Sequence, residues 1–166
     1  MKARCEFTVV SLGIGLPSRL TEMLTFNAHG IIEDSKHFGP TLIAGPRARK
    51  GAPIVLSGEI DENWRMFSAI SVEDFYLIKH QYEVEYSRKL DAFSERYLGA
   101  NIVLSGIENF SLCPTGSVLD FYDGPTFCVC SENKSCKTPG QFIAQDFDLP
   151  LNEAKKFVAF ANGHRG

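Results

Sequence analysis

One cysteine, Cys136, is the residue best placed to carry chemistry in this sequence. It lies in the polar segment Glu132–Gly140, which follows an apolar, strand-like pattern and has Lys134 and Lys137 beside the thiol. Nearby ammonium groups lower the pKa of a thiol, and the thiolate is both the nucleophile and the metal ligand. A thiol without a chemical role is usually buried as a small hydrophobic side chain. Cys136 is therefore the first candidate for catalysis or metal ligation, the alternative being a surface thiol with no role.

The other cysteines give a weaker signal. Cys128 and Cys130 alternate along a predicted strand and share one of its faces. Together with Cys113 and Cys136 they could be arranged around zinc, but their spacing lacks the paired C-x2-C of zinc knuckles. Burial as small hydrophobic side chains is the preferred interpretation. Cys130 could instead act as a resolving thiol if it approaches Cys136.

Composition and charge narrow the classes of function. The chain has 166 residues, 44% of them hydrophobic and 22% charged, which is typical of a globular protein with one domain over residues 1–166. A formal net charge of −3 argues against a nucleic-acid partner held by bulk charge. No Walker-type loop, dinucleotide fingerprint, serine-centred elbow or H-E-x-x-H run is present, which removes the commonest enzyme classes.

The apolar residues near the N-terminus and the cysteine content indicate the cellular compartment. The apolar run Phe7–Leu16 follows two basic residues as in a signal peptide, but Glu6 interrupts the flank and no cleavage site follows, so a strand is the better interpretation. No apolar stretch approaches the ~20 residues that span a bilayer. Five cysteines is an odd number without the spacing of a secreted framework. We expect reduced thiols, no membrane association and a cytoplasmic protein.

The elements that must position these residues are mostly strands, with three separate helices. The predicted strands are Glu6–Ile14, Pro53–Leu56, Asn101–Ile107, and the hairpin pair Ser117–Tyr122 and Thr126–Ser131. The first predicted helix follows the N-cap Ser71. The second runs through Leu90, Phe93 and Tyr97 and stops at Gly99, and the third extends from near Pro150 to Gly163. Because there is no βαβ rhythm, we predict a mainly β, α+β protein: a mostly antiparallel sheet or barrel with flanking helices.

Three runs of residues, taken in order, carry a family resemblance. They are Leu98–Phe110, Pro114–Leu119 and Glu132–Gly140, and together they resemble the MOSC domain found at the C-terminus of molybdenum cofactor sulfurases. The upstream run Gly30–Gly39 is similar to the family's Gly-x-x-Gly-Asp-x-His-x-Gly segment, with one extra residue and Glu33 at the usual glycine. The resemblance covers the chain from about Val9 to Gly166.

The resemblance implies a fold, a cofactor and two mechanisms. The fold would be a MOSC-type β-barrel, similar to the pyruvate kinase barrel domain, with flanking helices. The cofactor would be a molybdenum or tungsten pterin. Cys136 matches the family cysteine, which either carries sulfur as a persulfide for delivery to the cofactor or ligates molybdenum in a site that reduces N-hydroxylated compounds. Sulfur transfer is the favoured alternative, and a molybdenum-dependent oxidoreductase is the other. The chain would need a cysteine desulfurase or an electron-transfer partner, and a molybdoenzyme acceptor.

The resemblance also implies further cofactor-binding residues. Asp34 and His37 would lie near the pocket, where His37 could orient the cofactor or move a proton. Arg47, with its basic neighbours, could clamp the pterin phosphate, although a solvated basic loop is an equally good interpretation. Arg65 and Asn101 are carried over as pocket residues, and Asn101 could instead satisfy backbone groups at a strand end.

Two other classes of function stay open. The chain could be a non-catalytic module that binds a small anion or a protein partner through the basic loop Arg47–Lys50. It could also be a thiol redox protein that uses Cys136 with Cys130.

Overall fold

A computed structural model describes residues 5–27, 30–34, 41–42, 60–61, 67–129, 137–150 and 154–161 of the chain. The strands in these residues are β1 Thr8–Ile14, β2 Arg19–Thr21, β3 Phe26–Asn27, β4 Gly30–Ile31, β5 Thr41–Leu42, β6 Ile60–Asp61, β7 Ala69–Ser71, β8 Ile102–Ser105, β9 Val118–Asp120 and β10 Thr126–Cys128. The α-helices are α1 Val72–Glu85, α2 Lys137–Asp146 and α3 Ala154–Phe160, with 3₁₀ turns at Glu95–Leu98 and Phe110–Leu112.

The chain divides into two compact units. One combines Met1–Glu22 with Ser68–Gly166, and the other is Met23–Phe67. The predicted strand Pro53–Leu56 lies outside the described residues.

A four-stranded sheet in the order β2-β1-β8-β7 organises the larger unit. β1 pairs antiparallel with β2 and with β8. The register shifts by a bulge between Val9 and Ser11. β7 pairs in parallel with β8, so the chain passes through α1 between two parallel strands. The sequence pattern did not indicate that crossover, because β7 has only three residues.

The predicted barrel is wrong for the part of the chain that the structure describes. The strands there form one four-stranded sheet and three two-stranded sheets, and none of these closes on itself. A barrel requires each edge strand to pair with another strand, whereas β2 and β7 end the larger sheet. The architecture is a mixed α+β arrangement of small sheets and helices.

Helix α1 begins where the sequence predicts. Ser71 has extended backbone, and its hydroxyl accepts a hydrogen bond from the Asp74 backbone nitrogen at 3.1 Å, which satisfies one free donor of the first turn. Phe75, Ile78 and Tyr82 follow at helical spacing and are all buried. This face of α1 contributes directly to the hydrophobic core.

The core of the larger unit is aromatic. The Phe93 ring packs edge-on against Phe75 at 5.3 Å and against Tyr82 at 5.6 Å between centroids. Helices α2 and α3 pack against each other and add Ile143 and Phe157 to the same cluster. Burial of these apolar side chains is the main stabilising contribution to this unit.

One predicted helix and one predicted turn differ from the structure. The segment through Leu90 and Phe93 buries those side chains, but only Glu95–Leu98 is helical, as a 3₁₀ turn that ends at Gly99 with φ of 68°. The polar segment before Gly140, predicted as a turn, contains the start of α2. Pro139 is tolerated there because the first turn of a helix needs no backbone donor.

The smaller unit contains two short antiparallel pairs, β3 with β4 and β5 with β6. Thr25 and Ile32 close the first pair through a backbone hydrogen bond of 2.9 Å, and the Glu33 carboxylate accepts from the Thr25 nitrogen at 3.1 Å. The Phe26 ring packs edge-on against Phe67 at 5.6 Å.

Candidate functional site

Most of the predicted site residues lie outside the described part of the chain. These are Cys136, His37, Arg47 and Arg65, and Cys130 of the redox alternative lies outside it as well. Asp34 and Asn101 are described, and they belong to different compact units. The roles assigned to all of these residues stay predictions.

Asn101 joins three segments of the larger unit. Its side-chain oxygen accepts hydrogen bonds from the Ser68 nitrogen at 3.0 Å and the Ser68 hydroxyl at 3.3 Å. Its side-chain nitrogen donates to the Gly13 carbonyl at 3.1 Å. The backbone of Asn101 adds bonds to the same two residues, and the residue is completely buried. Both acceptor positions of the oxygen are therefore used by Ser68, and the side-chain nitrogen connects β1 to Asn101.

Asp34 is the other described candidate. It is 2% exposed, and its backbone nitrogen donates to the Ile31 carbonyl at 3.2 Å, which closes a turn directly after β4. A carboxylate buried to this extent needs polar or charged partners, and its proposed part in cofactor binding stays a prediction.

The structure defines both neighbours of the Cys136 segment. On one side, β10 ends at Cys128; on the other, the ten-residue helix α2 begins at Lys137, the residue directly after Cys136. Lys137 and Thr138 are exposed. Cys136 itself lies outside the described residues, so its reactivity stays a prediction from its flanking lysines.

The predicted hairpin before this segment is confirmed. β9 and β10 pair antiparallel, with Cys128 opposite Val118, and the Phe127 ring packs against Phe121 at 6.0 Å. Cys128 is exposed, so the prediction that it is a buried small hydrophobic residue is wrong. The prediction that Cys130 shares a face with Cys128 stays untested, because Cys130 lies outside the described residues.

No cluster of three or more His, Cys, Asp or Glu side chains suited to a metal ion occurs among the described residues. A shallow depression bounded by β1, Ser18 and Arg96 has a volume of about 10 Å³. That is space for roughly one water molecule, so this depression is too small for a pterin cofactor. Arg96 uses its Nε to donate to the Ser18 carbonyl at 2.7 Å.

A network at the start of α1 was not predicted. Glu73 accepts a hydrogen bond from the Gly106 nitrogen at 2.8 Å, and the next residue, Asp74, accepts two from Ser111. Cys5 donates to the Gly106 carbonyl at 3.7 Å. The sequence pattern could not indicate this network, because its partners are distant in the chain.

The fold matches a solved structure over almost its whole length. The crystal structure of the YuaD protein from Bacillus subtilis superposes with a TM-score of 0.75, covering 98% of this chain and 87% of that one, at 23% sequence identity. At this identity the match establishes the fold alone.

A sequence relative extends the similarity. A YuaD protein of Bacillus subtilis (strain 168), whose name proposes a role in metal-sulfur cluster biosynthesis, is 28% identical over 166 residues, which is 100% of this chain and 81% of the relative. No protein-family model matches the chain.

These comparisons correct the MOSC assignment. With no matching family model and a relative named for metal-sulfur clusters, the MOSC identity, the molybdenum-pterin cofactor and the persulfide mechanism lose their support. The runs that carried the resemblance are short, and the one at Gly30–Gly39 already departs from the family pattern in length and at Glu33. What stands is the broader similarity to a protein linked by name to metals and sulfur.

Among the residues described, every helix is too short or too polar to cross a lipid bilayer.

Proposed function

We propose that this protein handles a thiophilic metal together with sulfur during the assembly of metal-sulfur clusters, and that Cys136 is the residue that ligates this cargo. The observation that carries the proposal is the match to the YuaD protein over all 166 residues of the chain. The proposal takes the relative's named process as the process of this chain and adds a residue to it.

The chemistry of the segment supports the choice of Cys136. Thiolates are the preferred ligands of iron and other thiophilic metals in metal-sulfur clusters. Lys134 and Lys137 lie near Cys136 in sequence, and their ammonium groups favour the thiolate over the thiol at neutral pH. Since the described residues hold no complete ligand set, the remaining ligands would come from other parts of this chain or from an acceptor protein.

A cysteine desulfurase is the source of sulfur that this proposal requires, because no such enzyme motif is present in the chain. A cytoplasmic location is part of the same proposal, since an accessible ligating thiol must stay reduced.

Anaerobic reconstitution tests the function directly. The full chain is incubated with ferrous iron, cysteine and a cysteine desulfurase, desalted, and assayed for iron, acid-labile sulfide and visible charge-transfer absorption. We expect stoichiometric loading of the wild-type chain and a loss of at least tenfold in Cys136→Ser. Cys128→Ser is the matched control, because Cys128 is an exposed free thiol in the neighbouring hairpin. Equal loading of Cys136→Ser and wild type, or no loading of either, would overturn the proposal.

A further inference from the structure

We draw no further inference here: the strongest candidate, the exposed apolar face of α1 formed by Tyr76, Leu77 and Val84, carries nothing because no feature of the described part of the structure shows what covers it.

Discussion

Ser111 donates two hydrogen bonds to a single carboxylate oxygen, Oδ2 of the fully buried Asp74, from its backbone nitrogen at 2.8 Å and from its hydroxyl at 2.7 Å. The pair connects the first turn of α1 to the 3₁₀ turn at Phe110–Leu112, more than thirty residues later in the chain. A carboxylate in this position also carries negative charge at the positive end of the helix. Asp74 therefore stabilises both the helix start and the loop that packs on it.

Replacing Asp74 should destabilise the protein markedly. Asp74→Ala leaves the Ser111 nitrogen and hydroxyl without their acceptor in a buried site, and we expect a loss of about 2–4 kcal/mol in the free energy of unfolding. Ser111→Ala removes only the hydroxyl bond and should cost about 1 kcal/mol. Urea denaturation followed by circular dichroism measures both values. Equal losses in the two variants would show that the backbone bond to Asp74 contributes nothing.

Asn101 should behave as a structural residue in the same measurement. Asn101→Ala removes the acceptor of Ser68 and the donor to Gly13, and we expect a loss of about 3 kcal/mol because both partners are buried. Asn109→Gly is the control: Asn109 is exposed with φ of 54°, a conformation that glycine adopts readily, so its stability should change by less than about 0.5 kcal/mol. A similarly small change in Asn101→Ala would contradict the structural role.

Local patterns predicted those parts of the fold that local interactions determine. The cap at Ser71, the turn between β9 and β10 and the buried strand β8 each depend on neighbouring residues, and all three are present. The helix expected through Phe93 shows the limit of such patterns. Its apolar spacing correctly identified buried positions, but tertiary packing holds those side chains without an α-helical backbone.

Long-range pairing accounts for most of what the sequence did not predict. The parallel pairing of β7 with β8 and the network around Asp74 bring together residues that no local pattern connects. For the candidate site, the flanking lysines were enough to select the thiol Cys136. The helical conformation of Lys137 and the residues after it was not predicted from the sequence. Pro139 and Gly140 are usually turn signals, and the helix is stabilised by burial of its Ile143 face.

The cysteines should differ in their rates of alkylation. Burial raises the pKa of Cys113, so a smaller fraction of it is thiolate at neutral pH, and its side chain is also less accessible than that of Cys128. Cys136, which has two lysines near it in sequence, should react fastest. Timed labelling of the native protein with iodoacetamide at pH 7, followed by peptide mass spectrometry, gives the rate at each site. A Cys113 rate equal to or above that of Cys128 would contradict this order.

The buried phenol of Tyr82 should make stability fall at alkaline pH. Burial, followed by the nearby Tyr86, raises the pKa of Tyr82 in the folded protein above the value of about 10 expected in the unfolded chain. The folded state therefore holds the phenol proton more tightly than the unfolded state. The contribution of Tyr82 to the free energy of unfolding is complete below pH 10 and is lost as the pH rises above it.

Tyr82→Phe should reduce this loss of stability at alkaline pH. At neutral pH it should stabilise the fold by about 1 kcal/mol, because the hydroxyl is buried without a hydrogen-bond partner among the described residues. Urea denaturation at pH 7 and pH 10.5 tests both effects, and Tyr122→Phe, at a 95% exposed side chain, should match the wild type. If Tyr82→Phe loses as much stability at pH 10.5 as the wild type, the loss comes from other titratable groups.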